Sequence, residues 1–138
     1  MKTTILVLSF FLAFSAIEAQ ETKLTGAWTM FEMAYVSDTG IRQKSEDQMK
    51  ADESVTDFYF MEDGKFRQTS NMSGTGTLDT YEGTYKADGN KLVITLLIGE
   101  RKMDVDYTWE MKENALVLTR TSPDGSMKIV AAYRKKFN

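Results

Sequence analysis

KMDVDYTWEMK, residues 102–112, alternates without a break: Met103, Val105, Tyr107, Trp109 and Met111 fall on one side, Asp104, Asp106, Thr108, Glu110 and Lys112 on the other. Successive side chains of a β-strand point to opposite faces, so this stretch reads as a strand with one face on a core and one in water. Similar segments recur outward from it. Downstream lie 115–121 and 126–135, the latter alternating through Met127, Ile129, Ala131 and Tyr133; upstream lie 91–98, 77–86, 66–72, 55–61 and 28–36. Turn-forming residues stand between them: Glu62-Asp63-Gly64-Lys65, Ala87-Asp88-Gly89-Asn90, Glu113-Asn114, and Ser122-Pro123-Asp124-Gly125 with the single proline, while Ser73-Gly74-Thr75-Gly76 is a flexible link. About eight strands joined mostly by short turns make an antiparallel meander, and closing it on itself removes two exposed edges. The expected fold is therefore all-β, an antiparallel up-and-down barrel.

The chain has 138 residues, a formal net charge of −3 and no cysteine. Residues 1–19 read as a signal peptide: Lys2 gives a positive start, Ile5 to Ala16 is apolar, and Ala19 is a small residue at the cut, leaving Gln20 first. The apolar run falls short of the roughly 20 residues that span a bilayer. Residues 20–138 then form one domain, expected to be secreted or periplasmic, with no insertion in a membrane after the leader is removed. Without cysteine it uses no disulfide and is not a Cys-anchored lipoprotein. Mild acidity argues against a surface that tracks phosphates, and hence against nucleic acid; the basic run Arg134-Lys135-Lys136 reads as a solvated terminus.

Two segments depart from the pattern. Ser37 to Ser54 is longer than a turn, and its part 42–54 (RQKSEDQMKADES) is polar, helix-compatible and holds Met49 as its one large apolar residue. It reads either as a lid over one barrel mouth or as a surface loop. Leu92 to Ile98 (LVITLLI) is apolar on both faces, which calls for cover outside the barrel by a loop, a terminus or a second subunit.

Gly26-Ala27-Trp28 at the first strand, Tyr81-Glu82-Gly83-Thr84-Tyr85 ahead of Asp88-Gly89-Asn90-Lys91-Leu92, then Leu116-Val117-Leu118 and a late Arg134 resemble the lipocalin-like branch of the calycin superfamily, especially the short exported lipocalin-like domains of bacteria. The resemblance implies a barrel whose first-strand tryptophan plugs one end while a basic residue of the last strand packs over it. Gly26 and Trp28 match the first role and Arg134 the second. Fatty-acid-binding relatives carry a helical lid after the first strand, where 42–54 stands here.

Histidine is absent as well as cysteine, so Ser-His-Asp and Cys-His catalysis and the usual zinc and copper ligand sets are unavailable. Asp104, Asp106 and Glu110 share the charged face of their strand and read as a solvated wall rather than an acid–base pair. No enzyme activity, metal or cofactor is expected. The apolar faces offer a ligand-lining set of Phe58, Phe60, Met103, Tyr107, Trp109 and Met127, although the same residues would equally make a packed core. Glu32, Gln68 and Arg120 share parity with inward apolar residues. Either strand bulges turn them outward, or they line a wet cavity where Arg120 meets a ligand carboxylate. The expected function is an exported binder of a small hydrophobic or amphipathic ligand. The alternative is a packed structural or interaction module, with an oligomer formed through Leu92 to Ile98.

Overall fold

The computed structural model describes residues 23–72 and 76–136; the leader reading of 1–19 lies outside the described residues, as does most of the Ser73–Gly76 link. The elements are β1 (Gly26–Ser37), β2 (Gly40–Lys44), α1 (Glu46–Ala51), β3 (Thr56–Phe60), β4 (Lys65–Ser70), β5 (Asp79–Asp88), β6 (Lys91–Ile98), β7 (Arg101–Lys112), β8 (Ala115–Thr121) and β9 (Met127–Lys135). From β3 onward each strand pairs antiparallel with the next, β1 pairs with β3, and β9 returns to β1. Eight strands thus close a barrel, as the meander predicts.

The ninth strand, β2, comes from the long segment after β1. The N-terminal part of β1, Gly26 to Thr29, pairs with β3, but β3 begins at Thr56 and leaves Met33 to Ser37 without a partner on that side. Unpaired backbone groups need an acceptor or donor. β2 supplies them, setting Gly40–Lys44 against Ser37–Met33. Its polar sequence hides it from a hydrophobic pattern, because its job is backbone pairing.

β1 also carries a bulge. Met30 faces Tyr133 and Glu32 faces Ala132, so Phe31 is an extra residue on β1. Trp28 and Met30 point inward before it, Met33 and Tyr35 after it, and Glu32 turns outward to the exposed face. Of the two readings open for Glu32, the bulge holds.

One half of the barrel is filled. Phe58, Phe60, Phe66, Tyr85 and Tyr133 make a chain of ring contacts: Phe58–Phe66 at 5.1 Å, Phe60–Phe66 at 5.2 Å, Phe60–Tyr85 at 5.0 Å and a stacked Phe58–Tyr133 pair at 4.8 Å. Leu92, Ile94, Leu116 and Leu118 complete this layer, each at most 1% exposed. The Trp28 indole N–H donates to the Leu24 carbonyl at 2.8 Å and seals the floor.

The basic residue over the Trp28 ring is Lys135, with its ammonium 5.5 Å from the ring centroid, and not Arg134. Register explains the correction: Lys135 pairs with Trp28 and shares its inward face, whereas Arg134 pairs with Thr29 and faces out. The Gly26 position is coupled to this contact, since a Cβ there would lie 3.0 Å from the Lys135 Cε that crosses it. Arg134 instead sits 4.0 Å over the Phe31 ring and pairs with Glu46 of α1.

On β6, Leu92, Ile94 and Leu96 are buried inward as the alternation requires, while Leu97 and Ile98 stay 48% and 41% exposed. The cover expected over this strand does not reach those two residues.

A candidate ligand cavity in the open half of the barrel

Above the aromatic layer the barrel is hollow. A cavity of about 340 Å³ opens toward the end that holds the β1–β2, β6–β7 and β8–β9 turns. Its floor and lower wall come from Met30, Phe58, Leu118, Ala131 and Tyr133; Gln68, Tyr81, Tyr107 and Ile129 stand in the wall above; Tyr35, Met72, Asp79 and Arg120 lie nearest the mouth. The rim is unusually apolar: Ile41, Leu78, Leu97, Ile98, Met103 and Met127 are all large, exposed and close to the open end.

Some polar groups in the wall are already satisfied. The buried Thr56 hydroxyl is 2.8 Å from Ser70 Oγ and 3.2 Å from Met72 Sδ, and Asp79 accepts from the Thr77 hydroxyl at 3.3 Å. Tyr107, Tyr133, Gln68 and Arg120 have no hydrogen-bond partner among the described residues. Burial raises the Tyr107 phenol above its ordinary pKa, partly opposed by the nearby Arg120 charge, and raises Tyr133 well above it, with Tyr107 adding to the effect. Both phenols therefore stay protonated at neutral pH and present O–H donors to the cavity.

The sequence-predicted lining residues separate by height along the barrel axis. Phe58, Tyr107 and Arg120 line the cavity together. Phe60 and Trp109 have the same inward parity but lie in the packed half, 1% and 9% exposed; the Trp109 indole N–H is buried with no partner among the described residues. Met103 and Met127 also face inward by parity, yet they sit at the rim, 44% and 37% exposed, outside the lining. Parity decides the face of a strand, whereas its length and register decide the level. Gly26 and Trp28 belong to the opposite, closed end. The lining residues not singled out in advance, above all Tyr133, Leu118, Ala131 and Met72, follow the same inward alternation; what was missing was their level.

Segment 37–54 does not cap this mouth with its helix. α1 is opened by a reciprocal cap, with Gln48 N donating to Ser45 Oγ at 3.3 Å and Ser45 N to Gln48 Oε1 at 2.8 Å. It buries Met49 and is held beside the bulged Phe31 by the Arg134–Glu46 pair, which keeps the Glu46 carboxyl below the usual carboxylate range. That places α1 on the outer wall, while the β1–β2 hairpin extends the wall near the mouth. Among the described residues no cluster of carboxylates is arranged to hold a metal ion, and no helix is long and apolar enough to cross a membrane.

A family model described as a lipocalin-like domain matches residues 24–118. A lipocalin-like protein from Bacteroides uniformis superposes with a TM-score of 0.53 at 19% identity, covering 83% of this chain and 99% of its own. An uncharacterized protein from Bacteroides eggerthii gives 0.52 at 15% identity, covering 81% and 98%. At these identities the likeness concerns the fold. No curated protein matches the sequence.

Proposed function

The chain belongs to the lipocalin-like domain family, and from that premise we propose that it is a non-enzymatic exported protein that binds a small amphipathic molecule inside its barrel. The observation that carries this reading is the cavity of about 340 Å³, apolar below and polar above, open at one end of an otherwise packed barrel. Pockets of roughly 300–1,000 Å³ with a few placed polar groups are the usual size and make-up of small-molecule sites. The ligand's apolar body would rest on Phe58, Leu118 and Met30, and its polar end would reach Arg120 at the mouth. The leader-like residues 1–19 support delivery to a secreted or periplasmic location, with Gln20 as the mature N-terminus.

The test is uptake of anilinonaphthalene sulfonate, read by its fluorescence, together with native mass spectrometry of freshly purified protein. Binding is expected in the wild type and should be lost in Ala131→Trp, which fills the cavity from β9. The reading is refuted if the wild type takes up no probe and retains no small molecule, or if folded Ala131→Trp binds unchanged. The competing reading, a packed interaction module, draws on the exposed Leu97 and Ile98. It predicts a concentration-dependent oligomer that Leu97→Lys abolishes, with no ligand uptake.

A further inference from the structure

Resting on that ligand-binding reading, we propose that the cavity selects an anionic, oxygen-bearing aromatic molecule over a fatty acyl chain. Arg120 takes its single carboxylate at the mouth, and the Tyr107 and Tyr133 hydroxyls donate to oxygens along its body.

The argument starts at Tyr133. It is 2% exposed, it lines the cavity, and its ring is held by stacking on Phe58 at 4.8 Å, so its hydroxyl is fixed in place. Among the described residues that hydroxyl has no partner, and neither has the hydroxyl of Tyr107, which lines the same cavity. Both hydroxyls open onto the cavity, the sealed and unpartnered side-chain polar atom among the described residues being Trp109 Nε1; a polar group that a ligand then seals off is costly unless the ligand answers it. An alkyl chain laid along this wall would exclude water from both hydroxyls and offer nothing in return. A body carrying hydroxyl, ether or carbonyl oxygens would satisfy them.

Gln68 adds a third such group from across the barrel. It stands on β4, four strands round from β8 in the eight-strand ring, so its amide faces the side that carries Arg120. A guanidinium and two protonated phenols are donors, and together they favour a ligand rich in acceptors with a negative end. Asp79 also lies at the mouth, on β5, and disfavours a second negative group on that side. The aromatic side chains of the wall, Tyr81 and Tyr107 together with Phe58 and Tyr133, suit a flat aromatic body.

The experiment titrates the full chain by calorimetry with caffeate and with laurate, carboxylates of similar size that differ in their body. Caffeate is expected to bind at least about tenfold more tightly than laurate, two hydroxyl contacts accounting for the difference. The caffeate-to-laurate preference should fall roughly fivefold in Tyr133→Phe and in Tyr107→Phe, which keep the rings, and Arg120→Met should weaken both ligands. Thermal melting checks that each variant is folded. Laurate binding as tightly as caffeate, or an unchanged preference in both phenylalanine variants, overturns the proposal and leaves the carrier reading standing. If neither carboxylate binds, the proposal is again overturned. If the wild type takes up no anilinonaphthalene sulfonate and retains no co-purified molecule either, the carrier reading falls with it.

Discussion

Gly83→Ala tests the reasoning about how the barrel wall bends. Gly83 is on β5 opposite Leu96 of β6, and a Cβ built there lies 1.8 Å from the Thr95 carbonyl oxygen and 2.8 Å from its carbon. Real Cβ contacts stop near 3.0 Å, so the two strands must part by at least 1.2 Å, the difference between 3.0 and 1.8. A backbone hydrogen bond of about 2.9 Å stretched by that much is broken. The flanking pairs are Glu82 with Leu97 and Thr84 with Thr95, so about two ladder bonds are at risk. Each is worth roughly 0.5–1.5 kcal/mol when made and about 1–3 kcal/mol when a buried partner is left unanswered. The expected loss is about 3–5 kcal/mol, a large part of the roughly 5–15 kcal/mol that holds a domain together. Gly89→Ala is the control: Gly89 has φ +61° and nothing within 4 Å of its added Cβ, so it loses only about 1–2 kcal/mol from the left-handed backbone. Urea unfolding followed by tryptophan fluorescence, compared at equal slope, reads both. If Gly83→Ala loses no more than Gly89→Ala, the close approach of β5 and β6 is not as described, and the placement of Tyr81 two residues away falls with it.

Three further outcomes follow from other parts of the molecule. Asp57, buried on the outer wall, accepts from the Thr29 hydroxyl at 2.8 Å and the Lys136 ammonium at 3.1 Å, joining β3, β1 and the tail after β9; Asp57→Ala should lower unfolding stability by about 1–3 kcal/mol, and a loss within error of zero in chemical denaturation would discard that role. Trp28→Phe removes the buried bond to the Leu24 carbonyl and should lose about 1–3 kcal/mol, whereas Lys135→Met removes a cation 5.5 Å from the ring and should lose under about 1 kcal/mol; the reverse order would mean that the cation, and not the indole bond, closes the floor. Asp124 accepts from both Ser122 and Ser126, which lowers its pKa from 3.8 to about 2. A depressed carboxylate stabilises the fold above its unfolded pKa and loses that contribution as pH falls through its folded value, so the β8–β9 turn should loosen between about pH 4 and pH 2. An NMR titration of the Asp124 carboxyl with a midpoint near 3.8 would contradict this.

The alternation of 102–112, repeated in the segments around it and punctuated by short turns, makes the barrel legible, because a period of two is a local property that a strand writes into its own residues. The cavity needed more. Met103 and Tyr107 share one face of β7, yet Tyr107 lines the hollow and Met103 sits at the rim. Trp109, on the same face, is in the packed half. Level is set by how far each strand runs before its partner begins, and β3 begins too late to pair with all of β1. The same late start draws in β2, whose polar sequence carries no hydrophobic period to announce it. The bulge is similarly silent. One extra residue at Phe31 puts Glu32 in water and restores Met33 and Tyr35 to the interior. Without that step Glu32 would face inward and Met33 outward, against the burial of Met33 at 8% exposure. Phe31 in turn lies under the guanidinium of Arg134, whose partner Glu46 fixes α1 on the outer wall. A local irregularity in β1 thus helps decide both what lines the cavity and where the helix rests. For the same reason Arg134, outward by register, cannot be the residue over Trp28, and the inward Lys135 takes that place.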